Sequence, residues 1–358
     1  MKIAIAGGGT GGHISPAIAV AEIILKEFPG AVVDFIATPR PVDRRMYKQF
    51  ESMVHTLDPP RIDRGFSDKF LFPIRATRSF FRARRLLREL DSSVLFSTGG
   101  YSSFFPVIAA RSLGIPSLIH ESNSIPGRAN RLAASFANKI LVGFESASLR
   151  FKKKPVVLTG NPVRPTLERI EKREARNQLG IPPEGTVILF LGGSQGAKAI
   201  NDIALQVPEG VHSILQCGSR DIERVMLESR GNNRITVFDF VDNPALLYSA
   251  ADIAVARSGA MTTAELSWFR IPSIYIPYPF AADNHQKWNA ASIAEKGGAI
   301  EINQDGLEPE VLWKMVIGLL ENTSDMDKMR TALAEMMPVN PATVIARDIL
   351  ALSEEGVF

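Results

Sequence analysis

The stretch Ile3-Ala4-Ile5-Ala6-Gly7-Gly8-Gly9-Thr10-Gly11-Gly12-His13 decides how this chain is read. Half a chain later, Val187-Ile188-Leu189-Phe190-Leu191-Gly192-Gly193-Ser194-Gln195-Gly196-Ala197 repeats its design. Each is a short apolar strand, a glycine-rich turn and a helix that starts on small residues. Such a turn aims backbone N–H groups and the positive end of a helix dipole at one point, which suits an anion, above all a phosphate. Two such units predict an α/β protein with two nucleotide-fold domains facing each other across a cleft.

Outward from these turns, apolar runs alternate with helix-like segments. They fall at 32–36, 94–96, 117–119 and 139–142 in the first half, and at 213–216, 235–237, 253–255 and 273–276 in the second. This is the βαβ rhythm of parallel sheets. A length of 358 residues also exceeds what one hydrophobic core sustains. The stretch Gly160-Asn161-Pro162-Val163-Arg164-Pro165 suits neither helix nor strand and marks the linker, giving domains 1–161 and 162–339. After a second break, Pro338-Val339-Asn340-Pro341, the segment 340–358 is expected to form a last helix that returns to the first domain.

The hydrophobic fraction of 45% and charged fraction of 22% exclude a disordered or fibrous chain. The single cysteine, Cys217, cannot form an internal disulfide, which fits a reducing compartment and a role in core packing. No apolar run approaches the ~20 residues that span a bilayer, and Lys2 leads into glycines rather than into a signal peptide, so the cytoplasm is expected.

Gly7, Gly9 and Gly12 have the spacing of a dinucleotide-binding fingerprint. Its acidic partner is missing, however, because the second strand ends Ala37-Thr38-Pro39-Arg40 and Asp34 lies inside it. His13, at the start of the following helix, either caps that helix or points into the site, and the flanking glycines favour the site. The segment Ala256 to Glu265 repeats the strand-to-helix turn. Glu265 there is either a first-turn carboxylate favoured by the dipole or a two-oxygen acceptor for a ribose diol. Further polar clusters, Gly99-Gly100-Tyr101, His120-Glu121-Ser122-Asn123 and Asp283-Asn284-His285-Gln286, follow strands at the edge where parallel sheets bind ligands.

Charge is lopsided. Residues 1–160 hold 23 basic against 12 acidic side chains, and the remainder 18 against 26. From Leu71 to Leu90, Arg75, Arg78, Arg82, Arg85 and Arg88 recur at helical spacing beside Phe80, Ala83 and Leu87. With the apolar Phe70-Leu71-Phe72-Pro73-Ile74 alongside, this basic amphipathic helix fits an anionic membrane surface. Nucleic acid is the rival partner, and no motif for it is present.

Taken together, Gly8-Gly9-Thr10-Gly11-Gly12-His13, Gly99-Gly100-Tyr101, His120-Glu121-Ser122-Asn123, Gly160-Asn161-Pro162-Val163-Arg164, Gly192-Gly193-Ser194-Gln195-Gly196-Ala197, Arg257-Ser258-Gly259-Ala260 and Asp283-Asn284-His285-Gln286 resemble, in this order, the MurG family. These are UDP-N-acetylglucosamine:lipid I N-acetylglucosaminyltransferases of peptidoglycan synthesis, with a GT-B fold of two Rossmann-like domains. Ser122 stands where glutamine is common, and Ser102-Ser103-Phe104-Phe105 where smaller residues are.

The resemblance implies UDP-GlcNAc in the second domain, with Ser194 at the diphosphate, Gln195 among the substrate-binding residues and the backbone near Val241 at the uracil. Arg164 would lie against the nucleotide, Ala260, Met261, Thr262 and Thr263 along the diphosphate and sugar, Glu265 at the ribose and Gln286 at the GlcNAc hydroxyls. Lipid I would lie in the first domain, its pyrophosphate on Thr10, Gly11 and Gly12, near Tyr101, Glu121 and Asn123. The base for an inverting displacement is His13, with Glu121 as second choice. No metal or other cofactor is implied, and Asp325-Met326-Asp327 reads as helical surface. The family further implies a peripheral enzyme on the cytoplasmic face of the inner membrane, with cell-wall synthesis and division proteins as candidate partners. Another UDP-sugar-dependent GT-B transferase, an NAD-dependent oxidoreductase and a non-catalytic membrane-associated nucleotide-binding module are the competing readings.

Overall fold

The strands pair in parallel, as runs of Val, Ile, Leu and Phe without polar alternation require. The computed structural model describes residues 1–358 except 61–65, 152–153, 194–195, 242 and 356–358, and the side chains of 66–70 and 355. The chain forms two compact units, Met1–Pro165 with Val339–Phe358, and Thr166–Pro338.

In unit 1, β1 (Lys2–Ala6), β2 (Val32–Ala37), β3 (Val54–Thr56), β4 (Val94–Ser97), β5 (Ser117–Glu121), β6 (Lys139–Val142) and β7 (Val156–Leu158) make one sheet. Their order is β3-β2-β1-β4-β5-β6-β7. Around it lie α1 (Gly11–Glu27), α2 (Pro41–Met46), α3 (Phe66–Glu89), α4 (Phe104–Leu113), α5 (Arg128–Ala133) and α6 (Glu145–Ser148). The two-residue period of β1 builds both cores. Ile3 and Ile5 join Phe35 and the Ile14–Ile18 stripe of α1, while Ala4 and Ala6 join Ala83 and Leu87 of α3 and Val107 of α4.

Unit 2 repeats the plan with β8 (Thr186–Leu191), β9 (Val211–Gln216), β10 (Ile235–Phe238), β11 (Ile253–Ala256), β12 (Ser273–Tyr275) and β13 (Ala299–Glu301). The order is β10-β9-β8-β11-β12-β13. Its helices are α7 (Lys172–Gln178), α8 (Lys198–Ala204), α9 (Ile222–Glu228), α10 (Ala245–Ala250), α11 (Ala260–Trp268), α12 (His285–Ala294), α13 (Pro309–Glu321) and α14 (Thr323–Met336). Phe190 packs its ring 5.5 Å from Trp313 in this core, where Cys217 is also buried. Burial pushes the Cys217 thiol up to about 11 and leaves it inert.

The last helix, α15 (Pro341–Glu355), belongs to unit 1. Ala342, Ile345, Ala346 and Ile349 are fully buried in the α1 core, and each isoleucine contributes ~1.5–3 kcal/mol of burial.

Both sheets place their first strand beside their fourth, so each has a switch point where successive connections leave on opposite faces. In such sheets the crevice at the carboxyl ends of those two strands is the ligand edge. The basic helix expected from Leu71 begins earlier, at Phe66, and carries Pro73 inside it. Pro73 is exposed, so water can satisfy the carbonyl that loses its intrahelical donor.

Candidate active site

In unit 1 the switch-point loops are Gly7 to Thr10, after β1, and Thr98 to Tyr101, after β4. A Cβ on Gly7 would fall 2.9 Å from the His13 carbonyl oxygen and 3.0 Å from the Ala17 Cβ, so only glycine lets α1 start this close to the sheet. Side chains from elsewhere fix the turn. The buried Asp43 carboxylate accepts from Gly9 N at 3.0 Å and Thr38 N at 2.8 Å. Tyr47 donates to Gly7 O at 2.6 Å, Arg40 to Gly9 O at 2.9 Å and Ser102 to Gly8 O at 3.3 Å. Thr10 takes the N-cap position with no side-chain cap, and the first turn of α1 holds no acidic residue. The Gly11 and Gly12 amides therefore open the positive end of a 17-residue helix.

His13 completes this turn. Its Nδ1 lies 3.0 Å from the Thr98 carbonyl oxygen. A carbonyl only accepts, so Nδ1 carries the proton, and in the neutral ring Nε2 carries the lone pair. A Cβ on Gly100, at φ +81°, would lie 2.7 Å from His13 Cδ2, so the ring rests flush on backbone. Burial lowers the His13 pKa, opposed by the Glu121 charge and the Thr98 carbonyl. The imidazole is thus a neutral base at pH 7 with its acceptor nitrogen unengaged among the described residues.

Glu121, at the end of β5, is 2% exposed. Its Oε1 accepts from Asn123 N at 2.9 Å and Asn123 Nδ2 at 3.2 Å, and its Oε2 from Gly127 N at 3.0 Å and Asn130 Nδ2 at 2.8 Å. The residue read as a second base thus spends both oxygens on four N–H groups and organises the 121–130 loop. His120 is likewise committed: Nε2 donates to Gly160 O at 3.1 Å and Nδ1 accepts from Ser122 at 3.3 Å. Burial brings its pKa down to about 4. Tyr101 stands exposed beside Gly100.

Arg164, expected against the nucleotide, has its side chain engaged within unit 1. Its guanidinium donates to Glu22 of α1, from NH2 at 2.6 Å and from Nε at 3.2 Å. The dinucleotide reading also fails at β2. Asp34 bonds His55 Nε2 at 2.8 Å, and Asp43, the carboxylate nearest the turn, already holds the Gly9 amide.

In unit 2 the loop after β8 brings Gly196, at φ +79°, against the Cys217 carbonyl, where a Cβ could not fit. Ser194 and Gln195 lie outside the described residues. After β11, Arg257 is buried and donates from NH1 to Ile276 O at 2.9 Å and Pro277 O at 3.0 Å, and from NH2 to Gln304. Ser258 donates to Gln286 O at 2.8 Å and accepts at its own carbonyl from Asn289 at 3.1 Å. These bonds lock the turn that opens α11 to the start of α12.

Gly259 is an N-cap without a side-chain partner, so the Ala260, Met261 and Thr262 amides open the nine-residue α11, while Thr263 donates its hydroxyl back to Ala260 O at 2.9 Å. Glu265, one turn in, accepts from Tyr248 at 2.6 Å. Gln286 accepts from Tyr278 N at 2.9 Å, which leaves its amide NH2 to donate elsewhere. Just before it, Asp283 and Asn284 are both left-handed, at φ +51° and +52°. Such strain in consecutive non-glycine residues is the kind that binding sites retain. Val241 follows β10, partly exposed.

Asp325 and Asp327 pair with Lys328 and Arg330 at 2.8 Å each on α14, and the described residues contain no cluster that could hold a metal. Sequence reasoning did not find Asp43, Tyr248 or the clamp made by Arg257. The first two act across the fold with no local pattern; Arg257 lay within a motif whose buried role only the tertiary contacts reveal.

Two family models match this chain: the Glycosyltransferase family 28 N-terminal domain over residues 3–142 and the Glycosyltransferase family 28 C-terminal domain over residues 187–347. A relative from Desulforudis audaxviator, named UDP-N-acetylglucosamine--N-acetylmuramyl-(pentapeptide) pyrophosphoryl-undecaprenol N-acetylglucosamine transferase, is 35% identical, with 93% of each chain covered. A relative of the same name from Solidesulfovibrio magneticus is also 35% identical, with 98% of each covered. Among solved structures, Acinetobacter baumannii MurG superposes with a TM-score of 0.77 at 28% identity, covering 98% of this chain and 99% of that one. A UDP-GlcNAc 2-epimerase from Neisseria meningitidis, 14% identical with a TM-score of 0.68 over 99% of this chain and 100% of that one, shares the fold.

Proposed function

We infer that this chain, which belongs to glycosyltransferase family 28, transfers N-acetylglucosamine from UDP-N-acetylglucosamine to N-acetylmuramyl-(pentapeptide) pyrophosphoryl-undecaprenol, lipid I, in peptidoglycan synthesis. In this reading unit 1 takes the acceptor and unit 2 the donor. The acceptor pyrophosphate rests on the Gly11 and Gly12 amides beside Thr10, with Tyr101 and Asn123 at the loops around it. The donor diphosphate takes the α11 amides of Ala260, Met261 and Thr262 together with Ser194 and Gln195. Glu265 binds the ribose diol, Gln286 the GlcNAc hydroxyls and the backbone at Val241 the uracil.

A β-1,4 product from an α-linked donor calls for one in-line displacement. His13 Nε2 takes the proton of the acceptor 4-hydroxyl as its oxygen bonds to C1, and the C1–O bond to the β-phosphate breaks, its electron pair leaving on UDP. The amides at the start of α11 stabilise the charge that develops on the departing diphosphate. Glu121 does no proton transfer here; it holds Asn123 and the loop that carries it. The observation that carries the catalytic assignment is the tautomer of His13, fixed by the Thr98 carbonyl so that the basic nitrogen is the unengaged one.

Membrane attachment belongs to the same proposal. Leu71, Ile74 and Phe81 are exposed on α3 next to the exposed Arg78, Arg82 and Arg85, which suits an anionic leaflet. Among the described residues no helix is long and apolar enough to cross a membrane. The enzyme would then work at the cytoplasmic face of the inner membrane, near the cell-wall synthesis and division proteins. The test of the whole reading is transfer of radiolabelled GlcNAc from UDP-GlcNAc to a lipid I analogue. A protein that NAD but not UDP protects against heat, and that gives no labelled disaccharide, would refute it.

A further inference from the structure

Glu265 can serve a diol only if its carboxylate is held in one orientation, and the residue that holds it comes from a different helix. Tyr248, on α10, is buried and donates its hydroxyl to Glu265 Oε2 at 2.6 Å, the short distance of a charge-assisted bond. Its ring packs 5.1 Å from that of Phe269, the C-cap residue of α11, at 56°. Tyr248 therefore grips α11 at two places, by the carboxylate in its second turn and by the aromatic residue at its end. Burial, reinforced by the Glu265 charge, keeps the phenol protonated far above neutrality, so it only donates toward the carboxylate. Glu265 itself is partly exposed. A carboxylate offers about four acceptor positions, and a vicinal diol uses two.

We propose that Tyr248 is a positioning residue for the donor: by fixing one oxygen of Glu265 from the buried side, it presents the carboxylate to both ribose hydroxyls and so sets the preference for a ribonucleotide over a 2′-deoxyribonucleotide. This rests on the assignment of Glu265 to the ribose. Tyr248 touches neither reacting sugar nor leaving group, so its effect is on donor KM and on discrimination rather than on turnover.

The test compares UDP-GlcNAc with 2′-deoxy-UDP-GlcNAc in the wild type, Tyr248→Phe and Glu265→Gln. Tyr248→Phe removes one oxygen and keeps the ring against Phe269. Its KM for UDP-GlcNAc is expected to rise about tenfold, the effect of losing one hydrogen bond to a charged group, with kcat within about twofold. The ratio of kcat/KM for the two donors should fall toward that of Glu265→Gln. A ratio kept at the wild-type value in Tyr248→Phe but lost in Glu265→Gln overturns the positioning role alone. A wild-type ratio in both variants overturns the ribose assignment beneath it. Tyr248→His returns a donor to the same pocket and should recover part of the ratio, also if the phenylalanine variant fails to fold; a ratio as low as that of Glu265→Gln again rejects the proposal.

Discussion

The two switch points occupy the same place in two copies of one topology, and they are furnished oppositely. In unit 1 the glycine turn is held from beneath by a buried carboxylate, Asp43, and ends on an ionisable ring, His13, whose basic nitrogen is unengaged among the described residues. In unit 2 the turn before α11 is held by a buried guanidinium, Arg257, and what it presents is amide N–H groups, hydroxyls and one braced carboxylate. The shared scaffold supplies an uncapped helix start in both. On the proposed reading, the added side chains decide which site moves a proton and which only grips.

The comparison breaks first at His13. In His13→Asn, kcat at saturating substrates should fall about 10²- to 10⁴-fold, the usual worth of a general base, while donor KM stays within about threefold. A kcat near wild type would take the proton-transfer role away from unit 1. Because the His13 pKa is lowered in the free protein and the neutral form is the active one, the acid limb of the wild-type kcat/KM profile should lie below pH 6.5.

His120 sharpens the contrast from within unit 1, since both of its nitrogens are spent on structure. Its pKa in the fold is about 4, below the 6.5 of an exposed ring, so the unfolded chain binds the proton more tightly. Its neutral form supports stability fully above pH 6.5, and that support is lost as pH falls through 4. The loss should reach roughly 3 kcal/mol. Urea midpoints at pH 7 and pH 4.5 measure it, and a flat profile would contradict the burial of His120.

The smallest effects are the most diagnostic. Asp43→Asn sets an NH2 or a weaker acceptor against the Gly9 and Thr38 amides and should raise acceptor KM about tenfold with donor KM unchanged. Arg257→Gln should do the reverse, raising donor KM alone. Steady-state kinetics in both substrates would show whether the two supports are as separate as their geometry.

Much of this was legible in the chain. Central strands such as β1, β8 and β11 are buried on both faces and read as unbroken apolar runs. The strands that were missed, β3, β7 and β13, are three residues each at sheet edges, half-exposed, and Val54-His55-Thr56 has no apolar run to find. Glycine turns announced where strands pass into uncapped helix starts, because their chemistry is local. The supports Asp43 and Tyr248 were invisible, since each acts on a partner that only the tertiary fold brings near. Arg164 shows the converse: it lies in a legible motif, and its contact with Glu22 is one that no motif encodes.

The return of α15 to the core of unit 1 orders events on the ribosome. Unit 2 is synthesised whole, between residues 166 and 338, before unit 1 can close. Until Ile345 and Ile349 emerge, the oily side of α1 that they cover stays wet, an invitation to chaperones or to neighbouring nascent chains. A chain stalled before residue 341 should accordingly be cleaved by protease in its first-made half while the later-made half resists.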